Sequence, residues 1–232
     1  MKGSIYLIPV TLGGTEASAV IPDKVLEITR GLRFFIVEEI RSARRFLRLI
    51  DKQFPIDESW FRELNEHTKE EDISGYLEPV MQGNNIGLMS ECGLPGIADP
   101  GARLISTAHR KRIKVIPLSG PSSILMALIS SGLNGQQFTF NGYLPVKPEE
   151  RVIRLRELEK RAREGYAQVF METPYRNQKM FNDILKTCNR DMHLCIASDI
   201  TLPTESIITK KLSEWQSDLP DLNKRLVVFV LQ

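Results

Sequence analysis

The chain has 232 residues, which is enough for one large domain or two of moderate size, and its 42% hydrophobic and 26% charged residues exclude a disordered protein. Its 31 basic and 29 acidic residues give a formal charge of +2 and a pI near 8.4. A strongly basic nucleic-acid-binding domain has a pI above about 9, so any RNA contact is expected to be a local patch.

The three cysteines show no CxxC spacing, which indicates neither a disulfide framework nor a zinc site. We therefore expect reduced thiols and no metal. The apolar run near the amino terminus is too short for the core of a signal peptide, and no run approaches the roughly 20 residues that span a bilayer. These observations predict a cytoplasmic protein without membrane contact.

In the first half of the chain, short apolar runs alternate with helical patterns. The predicted strands are 4–10, 34–37, 86–90 and 114–118, and the predicted helices are 22–30, 39–51, 69–81 and 102–111. This alternation predicts a mostly parallel sheet with helices on its faces.

We place a domain boundary after Leu118, which gives an amino-terminal α/β domain, 1–118, and a carboxyl-terminal α/β domain, 119–232. The segment SGPSS at 119–123 predicts a capped helix, 124–131, with Pro121 at a first helical position. Strands are then predicted at 137–143, 167–173, 193–198, 205–210 and 226–231, and helices at 148–163 and 175–188. Five strands with few helices indicate a mixed second sheet.

The segment SECGLPGIADPG, residues 90–101, is the most informative loop of the chain. Three glycines and two prolines in twelve residues allow positive φ angles and close backbone approach to a ligand. It follows a predicted strand, and open α/β sheets bind small molecules at the carboxyl ends of their strands. An ordinary connection from strand to helix remains the alternative.

Seven segments, in order, resemble motifs of the tetrapyrrole methylase superfamily, in particular its ribosomal RNA branch, the small-subunit cytidine 2'-O-methyltransferases. They are IPVTLGG at 8–14, EEIR at 38–41, EH at 66–67, the glycine loop, GPS at 120–122, FNGYLPVKP at 140–148 and METPYR at 171–176. The resemblance covers nearly the whole chain. GxGxxG and GK[ST] motifs are absent from the sequence, which disfavours a dinucleotide or nucleoside-triphosphate site.

The resemblance implies two α/β domains with S-adenosylmethionine (SAM) bound in a cleft between them, and normally a homodimer. The family pattern, carried over by position, implies which residues line the cofactor pocket through backbone groups and apolar contact. They are Val10, Gly93, Leu94, Pro95, Ile97, Ser122, Ser123, Ile124, Met171 and Ala197. A packing role remains open for each of them.

Methyl transfer to a ribose hydroxyl needs a group that accepts the proton of the hydroxyl. The candidates are Glu38, Glu39, Glu66 and His67, and Arg41 is a candidate to hold a phosphate. The alternative for each glutamate is a surface or capping residue, and for His67 a polar group at a helix end.

Four arginines on the second predicted helix, Arg41, Arg44, Arg45 and Arg48, follow the i, i+3, i+4, i+7 pattern of one helix face. The other side carries Ile40, Ala43, Leu47 and Ile50 as the predicted buried face. The arginines either grip an RNA backbone or form a solvated face that pairs with nearby acids. The alternating charges of 149–164, with a Glu157–Arg161 pair, predict a solvated helix face.

Several positions depart from the family pattern, including Thr11, Gly14, the pair Glu39 and Ile40, and the segment 91–95. They replace polar groups that could orient a substrate, and the chain ends where the RNA branch usually continues. The predicted activity is ribosomal RNA 2'-O-methylation with SAM, on RNA of the small subunit. Methylation of a tetrapyrrole or another small molecule, and SAM binding without catalysis, remain alternatives.

Overall fold

The computed structural model describes residues 2–215, 217 and 219–232. The chain divides into two compact units, Met1–Ser122 and Ser123–Gln232. The three cysteines are free thiols. Among the described residues, no helix combines the length and apolar character needed to cross a membrane.

The first unit is built on a five-stranded parallel sheet with strand order β3-β2-β4-β1-β5. Its strands are β1 (Ser4–Leu7), β2 (Phe34–Val37), β3 (Trp60–Glu63), β4 (Ile86–Met89) and β5 (Lys114–Pro117). Its helices are α1 (Asp23–Gly31), α2 (Ile40–Ile50), α3 (Glu70–Ile73), α4 (Glu78–Met81) and α5 (Gly101–Arg110). Phe35 and Val37 pack in one core cluster and Ile36 in another. The sheet is therefore buried on both faces, as parallel sheets are.

Two predictions in this unit were wrong. The helix expected over 69–81 is divided into α3, a 3-10 turn over Gly75–Leu77, and α4. Gly75 favours a break, and Pro79 fits only the first turn of a helix because its ring excludes an interior position. Strand β3 was not expected at all, and it forms the edge of the sheet beside β2.

The second unit has a mixed sheet with strand order β6-β7-β10-β8-β9, in which only the β6 and β7 pair is parallel. Its elements are α6 (Ser123–Ser131), β6 (Phe138–Tyr143), α7 (Pro148–Arg163), β7 (Ala167–Met171), α8 (Asn177–Thr187), β8 (His193–Ser198), β9 (Ser206–Lys211), α9 (Leu212–Trp215) and β10 (Val227–Leu231). The core includes Phe170 stacked on Phe229, with ring centroids 5.4 Å apart. The predicted mixed sheet is confirmed.

Two details of the prediction for this region are corrected. Helix α6 begins at Ser123, so Pro121 does not occupy a helical position. The backbone at Gly120 lies against Pro9, where a Cβ atom would come within 2.2 Å of the proline ring, and this packing holds the segment in an irregular conformation. On α7, the predicted Glu157–Arg161 pair does not form, because each partner pairs with a residue three positions away. Glu157 pairs with Arg154 at 2.8 Å, and Arg161 pairs with Glu164 at 3.0 Å.

Candidate active site

A cleft of about 740 Å³ lies at the carboxyl ends of β2, β3 and β4 in the first unit. Parallel strands end at one edge of their sheet, so residues far apart in sequence meet there. Four of the predicted catalytic residues, Glu38, Glu39, Glu66 and His67, line this cleft, whereas Arg41 is not part of its lining. The other lining residues are Glu63, Asn65, Glu91, Ala98, Asp99, Pro100 and Arg103. We call this the acidic cleft, since six of its side chains are carboxylates.

Glu38 directly follows β2 and is held against the glycine loop. Its backbone N–H donates to the Met89 carbonyl at 3.1 Å, and its Oε2 accepts from the Glu91 N–H at 3.0 Å. Burial raises the pKa of Glu38, and the charges of Asp99 and Glu91 add to this, while the Glu91 N–H opposes it. A carboxylate with a raised pKa in a cleft is suited to accept a proton.

Glu39 has a different role from its neighbour. It is the N-cap of α2, where its carboxylate accepts from the N–H groups of Arg41 at 2.7 Å and Ser42 at 2.6 Å. The hydrogen bond from the Arg41 backbone is the main cause that lowers the pKa of Glu39. Its carboxylate therefore satisfies the helix end rather than facing a substrate proton.

Asp99 organises the glycine loop. Its two oxygens accept from Gly96 N–H at 2.7 Å and Gly101 N–H at 2.6 Å, and burial raises the pKa of its carboxyl group. Between these contacts Ala98 has a φ of 59°, a conformation that is strained for a residue with a Cβ atom. The loop is thus a closed turn that presents backbone to the cleft.

Glu66 and His67 lie on the exposed rim of the cleft, with 86% and 85% of their side chains accessible. Their Oε1 and Nε2 atoms are 3.6 Å apart, and the His67 N–H donates to Asn65 Oδ1 at 2.9 Å. Arg103 braces the same turn, because it donates to the Thr68 carbonyl at 2.9 Å and pairs with Glu70 at 3.0 Å.

Sequence reasoning did not name Glu63, Asn65, Asp99 or Arg103 as site residues. A local signal exists for two of them. Asp before Pro-Gly and Asn three residues before Thr are typical of side chains that bond to nearby backbone N–H groups. No such signal marks Arg103, which acts through residues more than thirty positions away.

The residues expected to hold SAM fall into two groups, one in each unit. In the first unit, the Val10 N–H donates to the Gly93 carbonyl at 2.9 Å. A Cβ atom at Gly93 would lie 3.4 Å from the Pro121 carbonyl. The loops that follow β1, β4 and β5 therefore converge, and Gly93 has a positive φ of 70°. A backbone-lined junction of this kind suits a ligand held through main-chain groups and apolar contact.

The remaining cofactor candidates differ in exposure. In the first unit, Ile97 is 43% exposed, Leu94 is half-buried, and Pro95 and Ser122 are buried. In the second unit, Ser123 and Ile124 begin α6, and Met171 ends β7 half-buried. Ala197 is fully buried within β8 and presents no surface of its own.

The four arginines of α2 form an exposed basic face. Ala43, Phe46, Leu47 and Ile50 are its buried side, and Ile40 is only partly buried. The Arg44 guanidinium lies 5.2 Å from the centroid of the Phe61 ring, and Arg48 donates to the Lys52 carbonyl at 2.6 Å. Within the described part of the chain, none of the four pairs with a carboxylate.

Solved structures of methyltransferases share this fold. The methyltransferase CobJ superposes with a TM-score of 0.64 at 18% identity, covering 98% of this chain and 93% of that one. The uroporphyrin III C-methyl transferase from Thermus thermophilus superposes with a TM-score of 0.61 at 13% identity, covering 99% of this chain and 97% of that one. These likenesses show a shared fold of α/β units built on these two sheets.

A family model described as tetrapyrrole (corrin/porphyrin) methylases matches residues 6–216, and the chain belongs to this family. It is a SAM-dependent methyltransferase. A relative from Leptospira borgpetersenii is 31% identical over 100% of this chain and 88% of its own length. A relative from Pasteurella multocida is 27% identical over 100% of this chain and 80% of its own length. Both are named ribosomal RNA small subunit methyltransferase I.

Proposed function

We propose that this enzyme methylates the 2'-hydroxyl of a nucleotide in small-subunit ribosomal RNA. The observation that carries the proposal is Glu38, a partly buried carboxylate with a raised pKa at the carboxyl edge of the parallel sheet. The names of the relatives support small-subunit ribosomal RNA as the substrate.

The chemistry asks the protein for positioning and for one proton transfer. SAM supplies an electrophilic methyl group when it is bound. Glu38 accepts the proton of the attacking hydroxyl, and the Glu91 N–H fixes the direction of its carboxylate at 3.0 Å. Asp99 keeps the loop that carries Glu91 in its closed turn.

We propose that Val10, Gly93, Leu94, Pro95, Ile97 and Ser122 of the first unit bind SAM. Ser123, Ile124, Met171 and Ala197 of the second unit are proposed as cofactor residues from the family pattern. The support is the convergence of backbone after β1, β4 and β5, where glycine permits close approach. Ala197 would act only by shaping the wall, since it is fully buried.

Charge favours RNA over a tetrapyrrole as the acceptor. A tetrapyrrole that carries several carboxylates would meet the six carboxylates of the acidic cleft, which repel it. An RNA strand can place its phosphates on the basic face of α2 and only a ribose in the cleft. Arg41, in the first turn of α2 beside the cap residue Glu39, is the arginine proposed to hold the phosphate next to the acceptor ribose.

The decisive experiment measures transfer of radiolabelled methyl from SAM into RNA of small ribosomal subunits prepared from a strain that lacks this protein. Label in a ribose-methylated nucleotide is expected with the wild type. Glu38→Gln should lower the rate by at least a hundredfold, whereas the neighbouring Glu39→Gln is the matched control and should retain most of it. Equal rates for both variants would contradict the role of Glu38.

A binding protein that has lost catalysis is the second candidate, favoured by the apolar Leu94 and by Ile40 at positions where the family pattern is polar. Calorimetry of SAM binding, combined with the radiolabel experiment, decides between the enzyme and the binding protein. Binding of SAM without methyl label in any RNA would support the binding protein. We further infer that the protein is a cytoplasmic homodimer, and light scattering of the purified protein tests the dimer.

A further inference from the structure

A second cleft of about 460 Å³ lies at the opposite edge of the parallel sheet, where β2 and β3 begin. Its lining residues are Phe34, Trp60, Arg62, Asp72, Gly75, Tyr76, Glu78, Pro79 and Gln82. We call it the aromatic cleft. None of these side chains takes part in the proposed proton transfer or lines the acidic cleft.

The aromatic cleft offers planar surfaces. The rings of Phe34 and Trp60 have centroids 6.0 Å apart and are inclined by 48°. The Arg62 guanidinium lies 5.1 Å from the centroid of the Trp60 ring. These side chains and Tyr76 are not fully buried. Aromatic rings and arginine planes of this kind are the surfaces on which proteins stack single-stranded bases.

The polar groups of this cleft are not used inside the protein. The Trp60 indole N–H, the Arg62 guanidinium and the carboxylates of Asp72 and Glu78 form no hydrogen bond or ion pair with another described residue. A groove of about 690 Å³ beside β6 and α7 shows the contrast. There Arg154 donates to both Asn141 and Glu157.

Charge and hydrogen bonding select the kind of base. Two carboxylates against one guanidinium disfavour a phosphate in the aromatic cleft. Carboxylates accept hydrogen bonds from exocyclic amino groups, such as the one that cytosine carries and uracil lacks. Asp72 and Glu78 therefore favour a base that bears an amino group.

Strand β3 connects this cleft to the acidic cleft. Side chains alternate along a strand, so Trp60 and Arg62 occupy one face, and Phe61 and Glu63 the other. Glu63 lines the acidic cleft, and Phe61 lies beneath Arg44 of α2. The four residues of β3 extend over roughly 10 Å, and β3 is the edge strand of the sheet. A single strand of a few nucleotides can therefore pass around this edge from one face of the sheet to the other.

We infer that the aromatic cleft binds an amino-bearing base of the single-stranded RNA substrate, a few nucleotides from the ribose that is methylated. This inference rests on the proposed function. The base stacks on Trp60 and Arg62, and the phosphates that follow it lie on the basic face of α2.

The chain contains two tryptophans, which makes the test direct. Trp215 is only 2% exposed and belongs to the second unit, so quenching of fluorescence by added RNA reports on Trp60. Short oligocytidylate and oligouridylate are titrated into the full-length protein. Their binding is followed in parallel by anisotropy of an end label, and Trp60→Phe confirms the source of the signal.

We expect oligocytidylate to quench Trp60 more strongly and to bind more tightly than oligouridylate. Arg62→Ala should weaken binding about tenfold, the loss of one stacking contact. Arg190→Ala, which removes an exposed arginine of the second unit, is the charge-matched control and should bind as the wild type does. Asp72→Ala combined with Glu78→Ala, which removes both hydrogen-bond acceptors, should abolish the preference for cytosine.

Oligonucleotide binding without quenching of Trp60, or equal affinities of the Arg62→Ala and Arg190→Ala variants, would overturn the inference. Failure of both oligonucleotides to bind would overturn it as well. The proposed function is decided separately by the radiolabelled transfer to small subunits, so loss of one conclusion is distinguishable from loss of the other.

Discussion

Glu38 and Glu39 are adjacent in sequence, but their pKa values shift in opposite directions because of what surrounds each carboxylate. Burial and two neighbouring acids raise the pKa of Glu38, while hydrogen bonds from the start of α2 lower that of Glu39. The sequence EEIR cannot distinguish them, since both are glutamates at a strand end. Both glutamates are therefore candidates in the sequence, and only the backbone geometry separates Glu38, the proposed base, from Glu39, the N-cap of α2.

The raised pKa of Glu38 predicts the pH dependence of methyl transfer. A base must be deprotonated, so kcat/KM should fall as the pH decreases, with the apparent pKa of this acid limb above the ordinary glutamate value of 4.5. A pH–rate profile of transfer to small-subunit RNA measures this limb. The limb should be unchanged in Glu39→Gln, and an acid limb at or below 4.5 would contradict the assignment.

The same shift predicts that Glu38 does not stabilise the fold at neutral pH. A carboxyl group whose folded pKa is raised contributes its full stability below its unfolded pKa, and this contribution is lost as the pH rises through the folded pKa. Glu38→Gln should therefore unfold in urea at an equal or higher midpoint than the wild type at pH 7. A lower midpoint would show that the carboxylate is needed for packing.

Glu39→Ala is expected to behave in the opposite way. Loss of an N-cap side chain that accepts two backbone N–H bonds should lower the free energy of unfolding by about 1 kcal/mol. Urea unfolding at pH 7 measures this loss. Wild-type stability in the variant would mean that water replaces the cap without cost.

Among the elements, α2 presents the clearest functional surface, and its arginines predict a salt dependence. Each phosphate contact with a single strand adds about 0.7 to the slope of log affinity against log salt concentration. Arg45→Ala should reduce the magnitude of this slope by about that amount, and Arg190→Ala should not change it. Anisotropy titrations between low and moderate salt give both slopes.

The elements also show how far a sequence pattern can be interpreted. Strands β1, β2, β4 and β5 were predicted because buried parallel strands are continuous apolar runs. Edge strand β3 was missed because WFRE is short and ends in two charged residues. The helix expected over 69–81 was wrong because Gly75 and Pro79 divide this segment into two short helices and a 3-10 turn. The pairing of β3 with β2 decides the first element and the break at Gly75 decides the second. Apolar periodicity reveals neither.

At the scale of the whole molecule, two units with separate cores predict separable unfolding. Arg151 is 2% exposed, pairs with Asp183 at 2.5 Å and donates to the carbonyls of Pro145 and Val146. Removing one partner of a buried pair costs about 3–5 kcal/mol. Arg151→Met should therefore lower the urea midpoint reported by Trp215 in a Trp60→Phe background.

The unit containing Trp60 is the internal control for this substitution. Its core clusters share no residue with that of the second unit. In a Trp215→Phe background, the transition reported by Trp60 should stay within experimental error of its position without Arg151→Met. An equal shift of both transitions would show that the two units unfold as one.

The family was recognisable from the sequence because seven short segments kept their order over nearly the whole chain. The parallel and the mixed sheet were predicted separately, from the alternation and number of the strand and helix patterns. The acidic cleft was only partly predictable. Its members come from the ends of three strands, and Glu63, Asn65 and Arg103 have no motif that links them to Glu38. Which residues share one edge of a sheet follows from the strand order β3-β2-β4-β1-β5, and that order is not written in any local pattern.

The position of β3 at the edge of its sheet has a consequence for self-association. An edge strand exposes a row of unpaired backbone groups on which another chain can add a strand, and charged side chains oppose this. Arg62 and Glu63 occupy half of β3, so the charges proposed to meet RNA also guard the edge against aggregation. Replacing Arg62 by a large apolar residue such as leucine should promote concentration-dependent association. Alanine adds little apolar surface and is depleted in strands, so it is the better choice for the binding experiment.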